Sequence, residues 1–127
     1  MTCKKIYDAA LRLLNEREQN AADYEDRAGY ILATFCTQAS PIDNRYRAEQ
    51  GDGPKAPFSK LYLELDNTFP LSDILLPAAQ FYLAAMLVID ENEELSDRYF
   101  AKYTDAMSSI LHASSKSSPT KDRYNLL

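Results

Sequence analysis

One histidine, two cysteines and a run of acids are the groups with the most chemistry to offer in this chain of 127 residues. A hydrolytic triad needs a base held rigidly beside a nucleophile. His112, the only histidine, falls at the frayed edge between the last helical pattern and a polar tail. Cys36 lies on the apolar stripe of a predicted helix with no histidine near it in sequence, so it reads as a small buried hydrophobe rather than a reactive thiol. Two cysteines and one histidine cannot close a four-ligand zinc site within one chain. Asp90-Glu91-Asn92-Glu93-Glu94 supplies carboxylates but lacks the turn glycine and terminal bidentate glutamate of a calcium loop. These acids are expected to start a helix, where they complement its dipole. Glu25 and Asp26 are adjacent, which on a helix turns them apart toward solvent rather than onto one substrate. No catalytic residue, metal ligand or cofactor is expected, and the chain does not read as an enzyme.

Binding surfaces leave more to consider. The net charge of −5 argues against a protein whose main work is gripping a nucleic acid backbone, which needs a basic footprint. Arg45, Arg47 and Lys55, with Tyr46 among them, form the basic group of note and are candidate DNA-backbone contacts. Nine tyrosines are many for this length. Tyr82, Tyr99 and Tyr103 suit either a protein interface or a core with the hydroxyl at its edge. Between Leu61 and Asp97 there are eight acids and no lysine or arginine, whereas Lys116, Lys121 and Arg123 follow His112. An acidic body with a basic, apolar-tipped tail suits contacts between copies or with a partner.

The elements that must position these groups are helical. Ile6, Ala10, Leu13 and Leu14 recur at helical spacing, and Tyr24, Ala28, Ile31, Leu32, Phe35, Cys36 and Ala39 fall on one face of a second helix of about five turns. Ser40-Pro41-Ile42-Asp43 predicts a new helix, with Ser40 as N-cap, Pro41 at its first position and Gly51 as its stop. Two glycines and two prolines between Gln50 and Pro57 predict a mobile loop. Phe58 to Leu65 fits either a helix or a strand. Ser72 caps a turn leading into a helix through Ile89, with Pro77 in its first turn. That helix is apolar on nearly every face, so it is expected at the centre of the bundle or against another subunit, two readings that are compatible. Leu95, Tyr99, Tyr103, Met107 and Ile110 mark the last helix. From Ala113 the composition turns to serine and lysine, which predicts a flexible tail. The expected architecture is all-α, a compact bundle of about four to five helices over residues 1–112, followed by a flexible tail over 113–127.

Two cysteines are too few for a disulfide scaffold, and a reduced intracellular compartment is the simpler expectation. The N-terminal residues lack a signal-peptide pattern. The longest apolar run, Ile74 to Ile89, has sixteen residues interrupted by Pro77 and Gln80, short for a membrane span.

Leu76-Pro77-Ala78-Ala79-Gln80-Phe81-Tyr82-Leu83-Ala84-Ala85, then Asp90-Glu91-Asn92-Glu93-Glu94-Leu95, then Tyr99-Phe100 and Tyr103, resembles the small head-to-tail connector or adaptor proteins in the neck of tailed phages and prophages. Leu65-Asp66-Asn67-Thr68-Phe69-Pro70-Leu71 is similar to their preceding segment. The likeness covers roughly the C-terminal half. It implies a non-enzymatic virion subunit that oligomerises into a ring around the DNA channel, present in the host cytoplasm during assembly. The implied partners are copies of itself, portal and tail proteins, and double-stranded DNA that passes without sequence-specific binding; no membrane is implied. Phe81, Tyr82, Met86, Tyr99, Tyr103, Tyr124, Leu126 and Leu127 are the candidate oligomer or partner interface. The rival reading is a cytoplasmic helical adaptor or regulator that dimerises through Phe81 to Ile89 and acts by protein–protein interaction.

Overall fold

The structure is a computed structural model that describes residues 1–15 and 21–117. Among the described residues four helices appear in the order α1 (Cys3–Leu14), α2 (Ala21–Glu49), α3 (Leu76–Leu87) and α4 (Glu93–Ser117), with a 3₁₀ turn at Asp73–Leu75 just before α3. The protein is an all-α bundle, and α3 is its axis: α1, α2 and α4 all pack against it. A short apolar helix has several sides to cover, and here the chain covers most of them itself, leaving Pro77 exposed and Gln80, Phe81 and Met86 half-buried. Ala78, Ala79, Leu83, Ala84, Ala85 and Leu87 are all fully buried. The alanines matter as much as the leucines, because small side chains let three neighbours close on one axis without voids.

α1 begins at Cys3, one turn ahead of the Ile6 pattern, because its first amides find acceptors outside the helix. The N–H groups of Cys3 and Lys4 donate to the carbonyls of Asn67 and Leu65, and the Phe69 N–H donates to the Met1 carbonyl. The first turn of any helix lacks internal partners for its amides. A returning segment supplies them here. The helix closes at Asn15, which takes a left-handed φ of 57° that asparagine tolerates better than most residues.

A second helix starting at Ser40 is not what forms. α2 runs unbroken through Pro41, so Ser40 is not an N-cap but a mid-helix residue. Its hydroxyl donates to the Cys36 carbonyl one turn back (2.9 Å) and accepts the Phe58 N–H (2.9 Å). Proline inside a helix removes one amide donor, here the one that would serve the Thr37 carbonyl. Thr37 and Pro41 are both exposed, so water reaches the orphaned group. Buried residues on both sides, Phe35 and Cys36 before and Asp43 after, anchor the two halves as one rod. The stop at Gly51 forms as expected, with φ of 83°. The Asp52 N–H donates to the Arg47 carbonyl and the Gly51 N–H to the Ala48 carbonyl, the paired bonds of a Schellman ending.

Phe58 to Leu65 is neither helix nor paired strand. It is an irregular strap across α2 in which Leu63 is buried and Leu61 lies 86% exposed. Gly29 makes room for it: a Cβ at that position would come within 2.6 Å of the Leu63 carbonyl oxygen and closer still to the Tyr62 ring. The Leu63 N–H donates to the Gly29 carbonyl (3.1 Å). α3 ends at Leu87 rather than Ile89, and the Arg27 guanidinium accounts for the boundary. Its two terminal nitrogens donate to the carbonyls of Met86 and Leu87 (2.9 and 3.1 Å), satisfying groups that a helix C-terminus leaves open. α4 continues to Ser117, past the change of composition at Ala113. The residues beyond, including Tyr124, Leu126 and Leu127, lie outside the described residues.

Candidate functional site

Leu76 to Tyr103, the main part of the stretch on which the expectation of a neck protein rests, form one continuous structure, the α3–α4 hairpin. Asn92 turns it. The Asn92 side chain accepts the Leu95 N–H (3.0 Å), capping α4, while Glu93 and Glu94 occupy the first turn, where acids oppose the dipole. Glu91 does something else. It sits in the preceding turn and accepts the Tyr24 hydroxyl on both oxygens (2.6 and 2.9 Å), joining the turn to the start of α2. Ser96, buried, donates its hydroxyl to the Ala85 carbonyl (2.9 Å), so the hairpin is laced close to its bend.

Further along, the helices are joined by rings. Tyr82 lies 5.1 Å from Tyr103 and 6.1 Å from Phe100, and Phe81 stacks on Tyr99 at 6.3 Å, measured between centroids. Phe35 of α2 reaches into the same group, against Phe69, Tyr82 and Tyr103. Such ring pairs add about 0.5–1.5 kcal/mol each beyond the area they bury. Tyr82 and Tyr99 are core residues, 8% and 9% exposed, and the Tyr99 hydroxyl donates to the Leu13 carbonyl of α1 (2.8 Å). Phe81, Met86 and Tyr103 are half-buried and form the accessible edge of the group. Burial alone pushes the Tyr103 phenol above its ordinary range, and burial, with Tyr103 beside it, does the same for Tyr82.

The candidate DNA contacts divide. Lys55 donates its ammonium to the Pro70 carbonyl (2.8 Å), and the Arg47 Nε donates to the Gly53 carbonyl (3.0 Å). Both cations hold the chain's own loop. Arg45 is exposed on α2. Beside Arg47 and Ser40 on the same helical face, Asn44 pairs with Lys55 as a strand would, accepting its N–H and donating to its carbonyl (both 2.9 Å). Asp43, buried, accepts the Ser72 N–H (3.0 Å). Ser40, Asp43, Asn44 and Arg47 thus make a polar rail along the second half of α2. Their spacing, three and four residues apart, is the signal in the sequence for that shared face.

An open cleft of about 470 Å3 lies near the other end of α2, lined by Lys4, Glu25, Asp26, Tyr62, Glu64 and Asp66 among others. Glu25 and Asp26, expected to diverge into solvent, are both exposed and both border this cleft. The Tyr62 phenol is raised by desolvation first and then by Glu64, Tyr30, Asp26 and Glu25. The cysteines are free thiols in the core. Cys36 is pushed up to about 12, by burial first and then by Cys3 and Asp43, and Cys3 is raised by burial. A thiol so held stays protonated and unreactive near neutral pH. His112 is exposed on α4. Among the described residues no three His, Cys, Asp or Glu side chains gather to hold a metal ion, and no helix is long and apolar enough to cross a membrane. Comparison with protein-family models, curated proteins and solved structures gives no match.

Proposed function

We propose that this chain is a structural subunit of the neck of a tailed phage or prophage, a head-to-tail connector or adaptor that assembles into a ring around the DNA channel. The reading is carried by the stretch from Leu65 to Tyr103, in which an apolar helix led by Leu-Pro, an acid-rich bend and a helix with spaced tyrosine and phenylalanine follow one another. The described hairpin supports treating these residues as one unit, since the motif's acids form the bend and its rings join the two helices.

In this reading the subunit works by shape. A rigid hairpin core carries surfaces to its neighbours, and repeated head-to-tail contacts close the ring. Because the chain itself covers most of α3, those contacts fall on the edge left accessible, formed by Phe81 and Met86 of α3 with Tyr103 of α4, and on exposed apolar side chains such as Tyr30 and Leu61. The partners are further copies, portal and tail proteins, and double-stranded DNA in transit. Acidic surface suits that transit, because like charge keeps a phosphate backbone from adhering. The protein then resides in the virion after assembly in the bacterial cytoplasm.

Native mass spectrometry across a concentration series, with negative-stain electron microscopy of the same sample, tests the reading. A closed ring of many subunits is the expected result. A stable two-fold dimer at every concentration would overturn it in favour of a dimeric helical adaptor or regulator.

A further inference from the structure

Ile74 and Pro77, at the start of the hairpin, and Ala106, Ser109 and Ile110 on α4 frame an open groove of about 310 Å3. Its accessible wall is almost wholly carbon. An enclosed apolar cavity of about 150 Å3 is enough for a benzene-sized guest, so the groove has room for more than one large side chain. Water gains nothing there, having almost no polar group to bond.

The sequence beyond α4 carries side chains of the right kind at the right reach. Tyr124, Leu126 and Leu127 are the first large apolar residues after Leu111. Ile110, in the groove, precedes Ser117 by seven residues, roughly 10 Å along a helix rising ~1.5 Å per residue. Seven residues also separate Ser117 from Tyr124, and an extended chain of that length spans up to about 23 Å. The segment can therefore reverse and reach the groove of its own chain. In an extended stretch Tyr124 and Leu126, two residues apart, point to the same side.

We propose that Tyr124 and Leu126 dock into the groove between the start of α3 and the end of α4 of the same chain. A short tether holds them at an effective concentration in the millimolar range, of order mM, so the site fills without a second molecule.

The chain has no tryptophan, so Tyr124→Trp in the full chain provides a single fluorophore. The expected result is emission to the blue of exposed tryptophan and severalfold weaker quenching by acrylamide, both independent of protein concentration. Ser109→Arg, a charge brought in at an exposed position, should return both to the exposed values with the thermal melt unchanged. Leu126→Ser, which leaves the body untouched, should raise quenching in the same direction. Exposed-type emission in the parent would overturn the proposal, as would blue emission that survives both changes. A blue shift that grows with concentration would also overturn it, assigning the groove to the segment of a second copy.

Discussion

α3 and the segment from Gly51 to Ser72 pose opposite problems to the chain. α3 has an excess of apolar surface, and the fold covers it by surrounding it with three helices, using alanine where neighbours must come close. The segment from Gly51 to Ser72 has little apolar content in its first half and no regular structure to pair its backbone. Its main chain is held largely by the polar rail of α2, where Ser40, Asp43, Asn44 and Arg47 bond to Phe58, Ser72, Lys55 and Gly53, while its second half also bonds to the start of α1 and buries Leu63 and Phe69. The difference separates the two kinds of holding. Burial is non-directional and stabilises the whole bundle, whereas a side-chain hydrogen bond contributes about 0.5–1.5 kcal/mol net and fixes where one stretch of chain lies.

The comparison can be broken first at Phe35, which is fully buried and joins α2 to Phe69, Tyr82 and Tyr103. Phe35→Ala should cost about 3–5 kcal/mol in chemical unfolding. A loss under ~1 kcal/mol would mean that this ring group does not carry the core.

Alkaline pH probes the same region without touching its packing. The Cys36 thiol rises from an ordinary 9.0 to about 12 in the folded state. Its contribution is fully present below pH 9 and is lost as pH rises toward 12, because the unfolded thiol ionises while the folded one keeps its proton. Between those limits this one group lowers stability by up to about 1.4 kcal/mol per pH unit. The decline in unfolding free energy over that window should be shallower in Cys36→Ala than in the parent, and equal slopes would remove the thiol from the account.

Gly29 sharpens the comparison, because it lies where the apolar helix face and the strap meet. Gly29→Ala should destabilise by about 1–2 kcal/mol: overpacking against the Leu63 carbonyl typically costs ~1–3 kcal/mol, offset in part by the better helix propensity of alanine. Gly53→Ala, where an added Cβ meets nothing within 4 Å, is the control and should be near neutral.

The smallest effect is expected at the rail. Asn44→Ala should lower global stability by about 1 kcal/mol or less, while amide exchange at Lys55 and proteolytic cleavage between Gly51 and Pro57 rise markedly. If global stability and local exchange change in proportion, the rail is part of the core rather than a separate clasp.

Helical periodicity made α1, the first half of α2 and the ring positions of α4 legible, since apolar spacing reports which side of a helix is buried whatever it packs against. Asn92 caps α4 without having been read as a cap, although an asparagine before two acids and a leucine is a local sign of a helix start. Ser40-Pro41 misled because its local signal for a helix start is real. The same residues serve a continuous helix once buried neighbours hold both sides and the hydroxyl has Cys36 and Phe58 to bond. Of the candidate interface, Tyr82 and Tyr99 are core residues, and no pattern within one helix separates a ring that faces a neighbouring helix from one that faces a neighbouring subunit.

What the sequence determined by itself is the class of fold and the stop of α2 at Gly51, because apolar periodicity and the conformational freedom of one glycine act over a few residues. What only the tertiary structure decided is which surfaces were left over. That most of α3 is covered by its own chain, that Arg47 and Lys55 grip a loop, and that Glu25 and Asp26 border a cleft all depend on contacts between residues distant in sequence. Burial and hydrogen bonding are satisfied there by whichever groups the packed helices bring within reach.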